Sequence, residues 1–305
     1  MNLRGIHFLL TYQCLYECDH CFVWDSPLAK GTFKLSQIRA ILEEAKKLGT
    51  VEWTFFEGGE PFLYYPILIE GLRDAKQMGF KTGIVTNTYW ATSVEDASEW
   101  LRPIAQIGIN DLSFSSDCYH TERIDNEEAK NALKAAKQMG LPVGIISIEQ
   151  PEKTEKKEQR PTHLEDVEVG YGQVRFRGRA VSKLLQKTSL KPWTEFNACP
   201  YEDLKNLGRV HIDPLGHVHI CQGLCMGNAW KQPLSEIINS YDPLSHPVVR
   251  VLLQGGPTAL VKEFNLPHEQ GYADACHLCY NTRLQLRSRF TEVLAPGQMY
   301  GEGLE

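Results

Sequence analysis

Three cysteines close to the start of the 305-residue chain are spaced for metal chemistry. Cys14, Cys18 and Cys21 fall within eight residues and follow a strand-like apolar run at 6–10, so we place them in the loop that leaves this strand. Three thiolates can hold one inorganic centre, but they supply one ligand fewer than the four cysteines that usually hold an iron–sulfur cluster. One iron would then stay open to another molecule. The alternative is a zinc knuckle or a set of ordinary buried thiols.

The remaining six cysteines are one isolated residue and a group in the last third of the chain: Cys118, then Cys199, Cys221, Cys225, Cys276 and Cys279. The total of nine is odd and no secretory signal precedes the first strand, so a disulfide framework is disfavoured. Short spacings in a reducing compartment indicate metal ligands instead. The sequence therefore predicts a second centre near the C-terminus.

Composition limits the partners that the protein is expected to have. Apolar residues make up 42% of the chain and charged residues 23%, and the formal net charge is −6. This balance does not suggest binding to nucleic acid or to a membrane surface, and no apolar run approaches the roughly 18 residues of a membrane span. The N-terminus lacks the apolar core of a signal peptide, so we expect a cytoplasmic enzyme without nucleic-acid or membrane partners.

The elements that must position these residues repeat along the first half of the chain. Near copies of one short segment end at Gly49, Gly79 and Gly140, and a weaker copy ends at Gly108. Each has the features of a helix end, and each is followed by a strand candidate. We predict strands at 6–10, 51–56, 80–86, 109–115, 142–148 and, as a sixth, 174–176. One strand and one helix per thirty or so residues is typical of a βα unit. We therefore predict an α/β fold with a parallel sheet, a partial (β/α)6 barrel or an open sheet.

The chain changes character near residue 183. A β-hairpin is predicted at 209–221, short helices at 234–239 and 247–253, and a further helix after Cys279. The short apolar runs suggest a small domain held together by metal. We predict a barrel domain at 1–182 and a cluster domain at 183–305. The charged segment 149–161 is expected to be a solvated loop or helix.

Candidate binding residues fall where the predicted strands end, which is where βα folds bind their ligands. Two glycines after strand two would let the backbone approach a ligand closely. The candidates are Gly58, Gly59, Glu60 and Pro61 after strand two, Asn87 after strand three, Ser115 and Asp117 after strand four, and Arg177 after the predicted sixth strand.

Two of these motifs together resemble the radical S-adenosylmethionine (radical SAM) superfamily. Its first hallmark, C-x3-C-x-Φ-C, is met by Cys14, Cys18 and Cys21, with His20 at the usually aromatic Φ position. Its second hallmark, a Gly-Gly-Glu-Pro segment after the second strand, is met by residues 58–61. The resemblance covers residues 1 to about 182. A zinc site beside coincidental glycines is the alternative.

The resemblance implies a catalytic 4Fe–4S cluster on Cys14, Cys18 and Cys21, whose open iron is chelated by the amino and carboxylate groups of SAM. One electron then cleaves SAM to methionine and a 5′-deoxyadenosyl radical, which takes a hydrogen atom from the substrate. The resemblance also implies roles for the other residues. The 58–61 carbonyls and Glu60 would receive the SAM ammonium. Asn87, Ser115 and Arg177 would contact its carboxylate or ribose, Asp117 would do so or face the substrate, and His20 would lie by the adenine.

The C-terminal cysteines resemble the auxiliary-cluster domains of this superfamily, SPASM in the long form and Twitch in the short one. The long form has seven cysteines and two clusters, whereas this segment has five. One auxiliary 4Fe–4S cluster is implied on Cys199, Cys221, Cys276 and Cys279, with Cys225 competing for any of the last three positions. A structural zinc site stays open as the alternative.

The substrate is expected to be a peptide or protein side chain, because members with similar C-terminal domains often carry out such modifications. A small-molecule transformation in cofactor or natural-product biosynthesis is the second hypothesis. An iron–sulfur electron carrier without radical turnover is a third, of a different class. A reductant such as flavodoxin or ferredoxin is implied as a partner. Since the chain opens almost at strand one, we expect no separate leader-peptide-binding domain ahead of it.

Overall fold

The structure, a computed structural model, describes residues 2–121, 126–151 and 161–303. Its strands are β1 (Gly5–Leu9), β2 (Trp53–Glu57), β3 (Lys81–Thr86), β4 (Asp111–Ser115), β5 (Val143–Glu149), β6 (His163–Leu164), β7 (Val167–Gln173), β8 (Lys191–Pro192), β9 (Arg209–Ile212), β10 (His217–Cys221), β11 (Leu224–Asn228) and β12 (Gly271–Tyr272). Its helices are α1 (Leu35–Leu48), α2 (Tyr65–Gln77), α3 (Val94–Ile107), α4 (Glu127–Gln138), α5 (Arg179–Lys183), α6 (Leu234–Ser240), α7 (Val249–Phe264) and α8 (Ala275–Leu286).

The main sheet has the strand order β11-β10-β9-β1-β2-β3-β4-β5-β7-β6. Strands β1 to β5 and then β7 pair in parallel in chain order, and helices α1 to α4 alternate with the first five strands. Helices α1 and α3 end at Gly49 and Gly108, both in the left-handed conformation that glycine favours. The predicted α/β fold with a parallel partial barrel is therefore confirmed.

The sixth parallel strand lies earlier than predicted. It is β7, Val167–Gln173, whereas residues 174–176 have no strand structure. Glycine and glutamate interrupt the apolar pattern of β7, so its sequence gives a weak strand signal. The prediction followed Val174 and Phe176, which pack instead in a small apolar cluster with Ala180 and Leu184 of the following helical segment.

The predicted hairpin is present as β9 and β10, but it joins the main sheet. Strand β9 pairs in parallel with β1, and β10 and β11 follow in antiparallel pairing. The sheet thus continues across the predicted boundary at residue 182, and the division into two domains stays a prediction.

The C-terminal helices differ from the prediction in their bounds. Helix α6 matches its predicted position, whereas α7 runs on to Phe264 through a break in the helical backbone at Gly255 and Gly256. Cys276 and Cys279 lie inside α8 and not before it. The reason is Asp274, whose side chain caps α8 by accepting a hydrogen bond from the backbone N–H of His277 at 2.7 Å.

The charged segment at 149–161 falls mostly outside the described residues, which exclude 152–160. Glu149, the first residue of the predicted segment, belongs to β5. Among the described residues, no helix is both long and apolar enough to cross a membrane.

The two faces of the sheet differ in accessibility near β2. Thr54 and Phe56 are fully buried, and a Cβ added to Gly71 of α2 would lie 2.9 Å from Cε1 of Phe56. Residues 53, 55 and 57 alternate with them and are half-buried. The face turned away from α1 and α2 therefore carries the accessible side chains.

Candidate functional site

The three N-terminal cysteines lie on one loop directly after β1. Cys14 and Cys18 are buried, Cys21 is half-buried, and all three are free thiols. The backbone N–H of Cys14 donates to the carbonyl of Ser26 at 3.1 Å, which closes the loop at its base. Burial raises the pKa of Cys14 and of Cys21 to about 12. Such thiols ionise only when a cation binds them, so the donor set fits a metal cluster.

The glycine segment after β2 is hydrogen-bonded to both ends of this loop. The backbone N–H of Glu60 donates to the carbonyl of Gln13 at 2.9 Å. The N–H of Gly59 donates to Oδ2 of Asp25 at 2.5 Å. Gly59 has a φ of +51°, and a Cβ there would lie 2.3 Å from the carbonyl oxygen of Gln13. Only glycine fits at this position, and the two motifs form one unit.

The carboxylate of Glu60 connects this segment to the end of β3. Glu60 is fully buried, and its oxygens accept hydrogen bonds from Oγ1 of Thr86 and from the backbone N–H groups of Asn87 and Phe62, at 2.8, 2.8 and 2.9 Å. Burial raises its pKa to about 7. Nδ2 of Asn87 in turn donates to Sγ of Cys14 at 3.6 Å. Pro61 begins a 3₁₀ turn, Pro61–Tyr64, that follows the motif.

Gly178 and Arg179, which follow β7, hold the cysteine loop from the opposite side. The backbone N–H of Arg179 donates to the carbonyl of Cys21 at 2.9 Å, and its Nη1 donates to the carbonyl of Cys18 at 3.0 Å. Its Nη2 donates to the carbonyl of Asp25 at 2.7 Å. Gly178 has a φ of +61°, and a Cβ there would lie 2.5 Å from the carbonyl oxygen of Cys21. Sequence reasoning missed both residues, although the alternation of Arg and Gly after a strand was a usable signal.

His20, which belongs to the cysteine loop, lies near Asp117. The ring of His20 is 4.7 Å from that of Tyr119, and its Nε2 is 4.0 Å from Oδ2 of Asp117. Burial lowers the pKa of His20 to about 4, so the ring is neutral near pH 7. Asp117 accepts from the N–H of Tyr119 at 2.9 Å and lies 2.8 Å from Nδ1 of His120. Ser115 ends β4, where it pairs with residue 146 of β5.

Four of the five C-terminal cysteines line a single cavity, namely Cys199, Cys221, Cys276 and Cys279. These are the four that the resemblance implied as ligands. Cys225 does not line this cavity. It is fully buried, its Sγ lies 3.3 Å from Nδ1 of His219, and it donates to the carbonyl of Ala295 at 3.1 Å. The structure thus separates Cys225 from the group.

Two buried arginines also line this cavity, Arg177 and Arg283. Nη1 of Arg177 donates to Sγ of Cys221 at 3.0 Å, and its buried Nε has no hydrogen-bond partner within the described parts of the chain. A 4Fe–4S centre or a zinc ion on four thiolates carries a charge of about −2, which two guanidinium groups would neutralise. The residues therefore fit a four-thiolate centre.

Arg177 was expected at the carboxylate or ribose of SAM, and that contact stays a prediction. Its guanidinium donates to Sγ of Cys221 and lies 5.0 Å from the ring centroid of Phe22. Because Phe22 follows Cys21 directly, Arg177 lies between the two cysteine groups. Arg177 lies in the loop after β7 and Arg179 begins α5, and their guanidinium groups contact different cysteine groups, at Cys221 and Cys18.

Together the fold and site define an α/β protein with two groups of clustered free cysteines. The chain belongs to the radical SAM superfamily, since residues 8–158 match the sequence profile of that superfamily. Its members are enzymes that use a 4Fe–4S cluster and SAM in radical reactions. The resemblance drawn from the two motifs is confirmed.

Curated relatives match over part of their lengths. A candidate peptide biosynthesis protein, YydG of Bacillus subtilis, is 27% identical over 134 residues, which are 44% of this chain and 42% of YydG. The tungsten-containing aldehyde ferredoxin oxidoreductase cofactor-modifying protein of Pyrococcus furiosus is 25% identical over 159 residues, 48% of this chain and 43% of that protein. The matches thus span less than half of either relative. SuiB of Streptococcus suis, solved with S-adenosylmethionine, superposes with a TM-score of 0.45 at 12% identity, covering 91% of this chain and 77% of SuiB.

Proposed function

We propose that this protein is a radical SAM enzyme whose 4Fe–4S cluster is held by Cys14, Cys18 and Cys21. When bound, the cluster supplies the electron that cleaves SAM to methionine and a 5′-deoxyadenosyl radical. The observation that carries this proposal is the pair of hydrogen bonds that join the glycine segment to the cysteine loop, from Glu60 N–H to Gln13 and from Gly59 N–H to Asp25. These hydrogen bonds hold the glycine segment against the loop of three thiols, which supports a SAM site there.

The residues around the loop have separate roles in this proposal. Carbonyl groups of the segment from Gly58 to Pro61 receive the SAM ammonium. The carboxylate of Glu60 acts as a positioning group, because its hydrogen bonds run to Thr86, Asn87 and Phe62. Asn87 and Ser115 bind the carboxylate or ribose. His20 lies by the adenine, and Asp117 orients that side of the site.

We assign Cys199, Cys221, Cys276 and Cys279 to one auxiliary 4Fe–4S cluster in a domain of residues 183–305. Support comes from their shared cavity and from the two buried arginines that would neutralise the centre. Arg177 serves this centre and not SAM. A reductant such as flavodoxin or ferredoxin supplies the electrons.

For the substrate we propose a peptide or protein side chain. The relative YydG is described as a candidate for peptide biosynthesis, which supports this choice. A small molecule is the second candidate, because the relative from Pyrococcus furiosus is named for modifying a cofactor. A short precursor-peptide gene beside the gene for this protein would favour the first. A mass change in that peptide after incubation with enzyme, SAM and reductant would test it, and an unchanged mass would favour the second.

SAM cleavage tests the proposed activity itself. We expect cluster-loaded, reduced protein to release 5′-deoxyadenosine from SAM even without substrate, as measured by chromatography. Cys18→Ala should abolish the release because it removes a ligand of the SAM cluster. Cys118→Ala, which removes a thiol outside both groups, should leave it within about twofold of wild type. Failure of a cluster-replete, reduced wild-type sample to release 5′-deoxyadenosine would favour an electron carrier.

A further inference from the structure

A second set of ligand-type side chains lies on the accessible face of the sheet. His7, Glu57 and His211 come from the neighbouring strands β1, β2 and β9. His7 pairs in register with His211 on one side and with Phe55 on the other, so Glu57 lies two residues further along β2. Side chains two apart on a strand share a face, and therefore Glu57 and Phe55 project away from α1 and α2 with His7.

The three ligand atoms converge on one point. Oε1 of Glu57 lies 3.3 Å from Nδ1 of His7 and 3.0 Å from Nε2 of His211, and all three atoms lie within 4.8 Å of one another. Nδ1 of His7 is buried, yet it has no hydrogen-bond partner among the described residues, so its approach to Glu57 lacks hydrogen-bond geometry. Ligands about 2.1 Å from a metal ion and 90–110° apart are themselves about 3.0–3.4 Å apart. The distances from Oε1 of Glu57 to Nδ1 of His7 and to Nε2 of His211 have this size.

We propose that His7, Glu57 and His211 bind one divalent first-row transition-metal ion such as Zn²⁺. Two imidazoles and one carboxylate are a donor set that zinc and iron(II) use in proteins when a coordination position is kept open. The ring of His7 is stacked on Phe55 at 4.8 Å with an interplanar angle of 14°, which fixes its orientation.

An open position at this ion is accessible to a small ligand. The side chains of His7, Glu57 and His211 are 17%, 18% and 10% exposed. Glu57 directly precedes the Gly58–Gly59 segment, so the ion would lie close to the proposed SAM site along β2. A bound metal could therefore take an oxygen or nitrogen atom of a substrate as its fourth ligand. The site uses no cysteine, and it does not depend on the proposed function.

Metal content tests this site in the cluster-loaded protein. The sample would be treated anaerobically with a chelator, incubated with Zn²⁺, desalted and analysed for zinc and iron by mass spectrometry. We expect about one zinc per chain in the wild type. Glu57→Gln and His211→Gln should each weaken zinc binding about tenfold or more, since they remove a direct ligand. His163→Gln, at an exposed histidine outside the trio, should bind zinc as the wild type does.

Two further measurements make the outcomes unambiguous. Zinc X-ray absorption should show nitrogen and oxygen ligands at about 2.0–2.1 Å, whereas sulfur at about 2.3 Å would put the zinc in the cysteine cavity and overturn the proposal. Unchanged iron content and circular dichroism would show that a variant is folded. If Glu57→Gln does not fold, His7→Gln serves in its place. A folded wild type without zinc, or folded variants that retain it, would mean that Glu57 only forms an ion pair with the two histidines.

Discussion

Gly178 shows how a single position can control the cysteine loop. Its backbone lies against the loop so closely that a Cβ would be 2.5 Å from the carbonyl oxygen of Cys21 and 2.6 Å from Cα of Phe22. These are backbone atoms, so no flexible side chain can move to make room. Arg179, the next residue, donates to the carbonyls of Cys18, Cys21 and Asp25. The conformation of the cysteine loop therefore depends on the segment that follows β7, the sixth parallel strand of the barrel.

Gly178→Ala should displace the cysteine loop and lower the iron content assigned to the SAM cluster. We expect the variant to lose most of about four irons per chain after anaerobic reconstitution, measured against protein concentration. Gly108→Ala is the matched control, because Gly108 has a similar φ of +71° but no atom within 4 Å of an added Cβ. Equal iron loss in both variants would mean that backbone strain alone is responsible.

At the residue scale, local spacing is what the sequence predicts best. Cys14, Cys18 and Cys21 could be grouped from the sequence because they lie on one loop, and their role as ligands stays a prediction. Arg179 was missed because its partner Cys18 is 161 residues away in the chain. Alternation with Val218 and Ile220 along the hairpin favours an exposed position for His219, so its burial could not be predicted from the sequence. It is fully buried because Asp213 provides an ionised partner, 3.1 Å from its Nε2.

At the scale of elements, the proposed auxiliary site combines a helix, a strand end and a loop. Cys276 and Cys279 lie one turn apart on α8, Cys221 ends β10, and Cys199 lies in the loop before β9. The sequence predicts the hairpin but not the start of α8. Asp274 can be identified as the cap of α8 only from its hydrogen bond with the backbone N–H of His277. Likewise β7 was missed because glycines obscured its apolar pattern.

Iron content separates the four cavity cysteines from Cys225. We expect about eight irons per chain in the reconstituted wild type and about four in Cys276→Ala, because one of two clusters is lost. Cys225→Ala should keep about eight, since its thiol faces His219 and Ala295 and not the cavity. Four irons and one zinc with sulfur ligands at about 2.3 Å by X-ray absorption in the wild type would instead identify a structural zinc site in the cysteine cavity.

One sheet contains strands from both the N-terminal and the C-terminal half of the chain. A buried network reinforces the junction: Oδ2 of Asp213 accepts a hydrogen bond from the Tyr12 hydroxyl at 2.7 Å and lies 3.1 Å from nitrogens of His217 and His219. Burial opposes ionisation of Asp213, but the two histidines outweigh it and hold its pKa below the usual range. Tyr12 precedes the cysteine loop, so this network connects the loop to the turn between β9 and β10.

Asp213→Asn should lower the thermal unfolding midpoint by roughly 5–10 °C at pH 7, because it removes a buried carboxylate that contacts Tyr12, His217 and His219, and each hydrogen bond to a charged group is worth about 1.5–3 kcal/mol. A folded-state pKa below the unfolded value stabilises the protein above that unfolded value, about 4 for aspartate, and the effect is lost as the pH falls further. The difference between variant and wild type should therefore shrink below about pH 4. Glu292→Gln, in an exposed pair with Lys231, should change the midpoint little. A pH-independent difference would contradict the role of the Asp213 charge.

We propose that the two cysteine groups hold clusters with different roles, and that only the cluster on Cys14, Cys18 and Cys21 binds SAM. Electron paramagnetic resonance of reduced protein tests this directly. We expect that adding SAM changes the spectrum of Cys276→Ala, which keeps the N-terminal cluster alone, and leaves the spectrum of Cys18→Ala unchanged. A SAM-dependent change in Cys18→Ala, or none in Cys276→Ala, would contradict it.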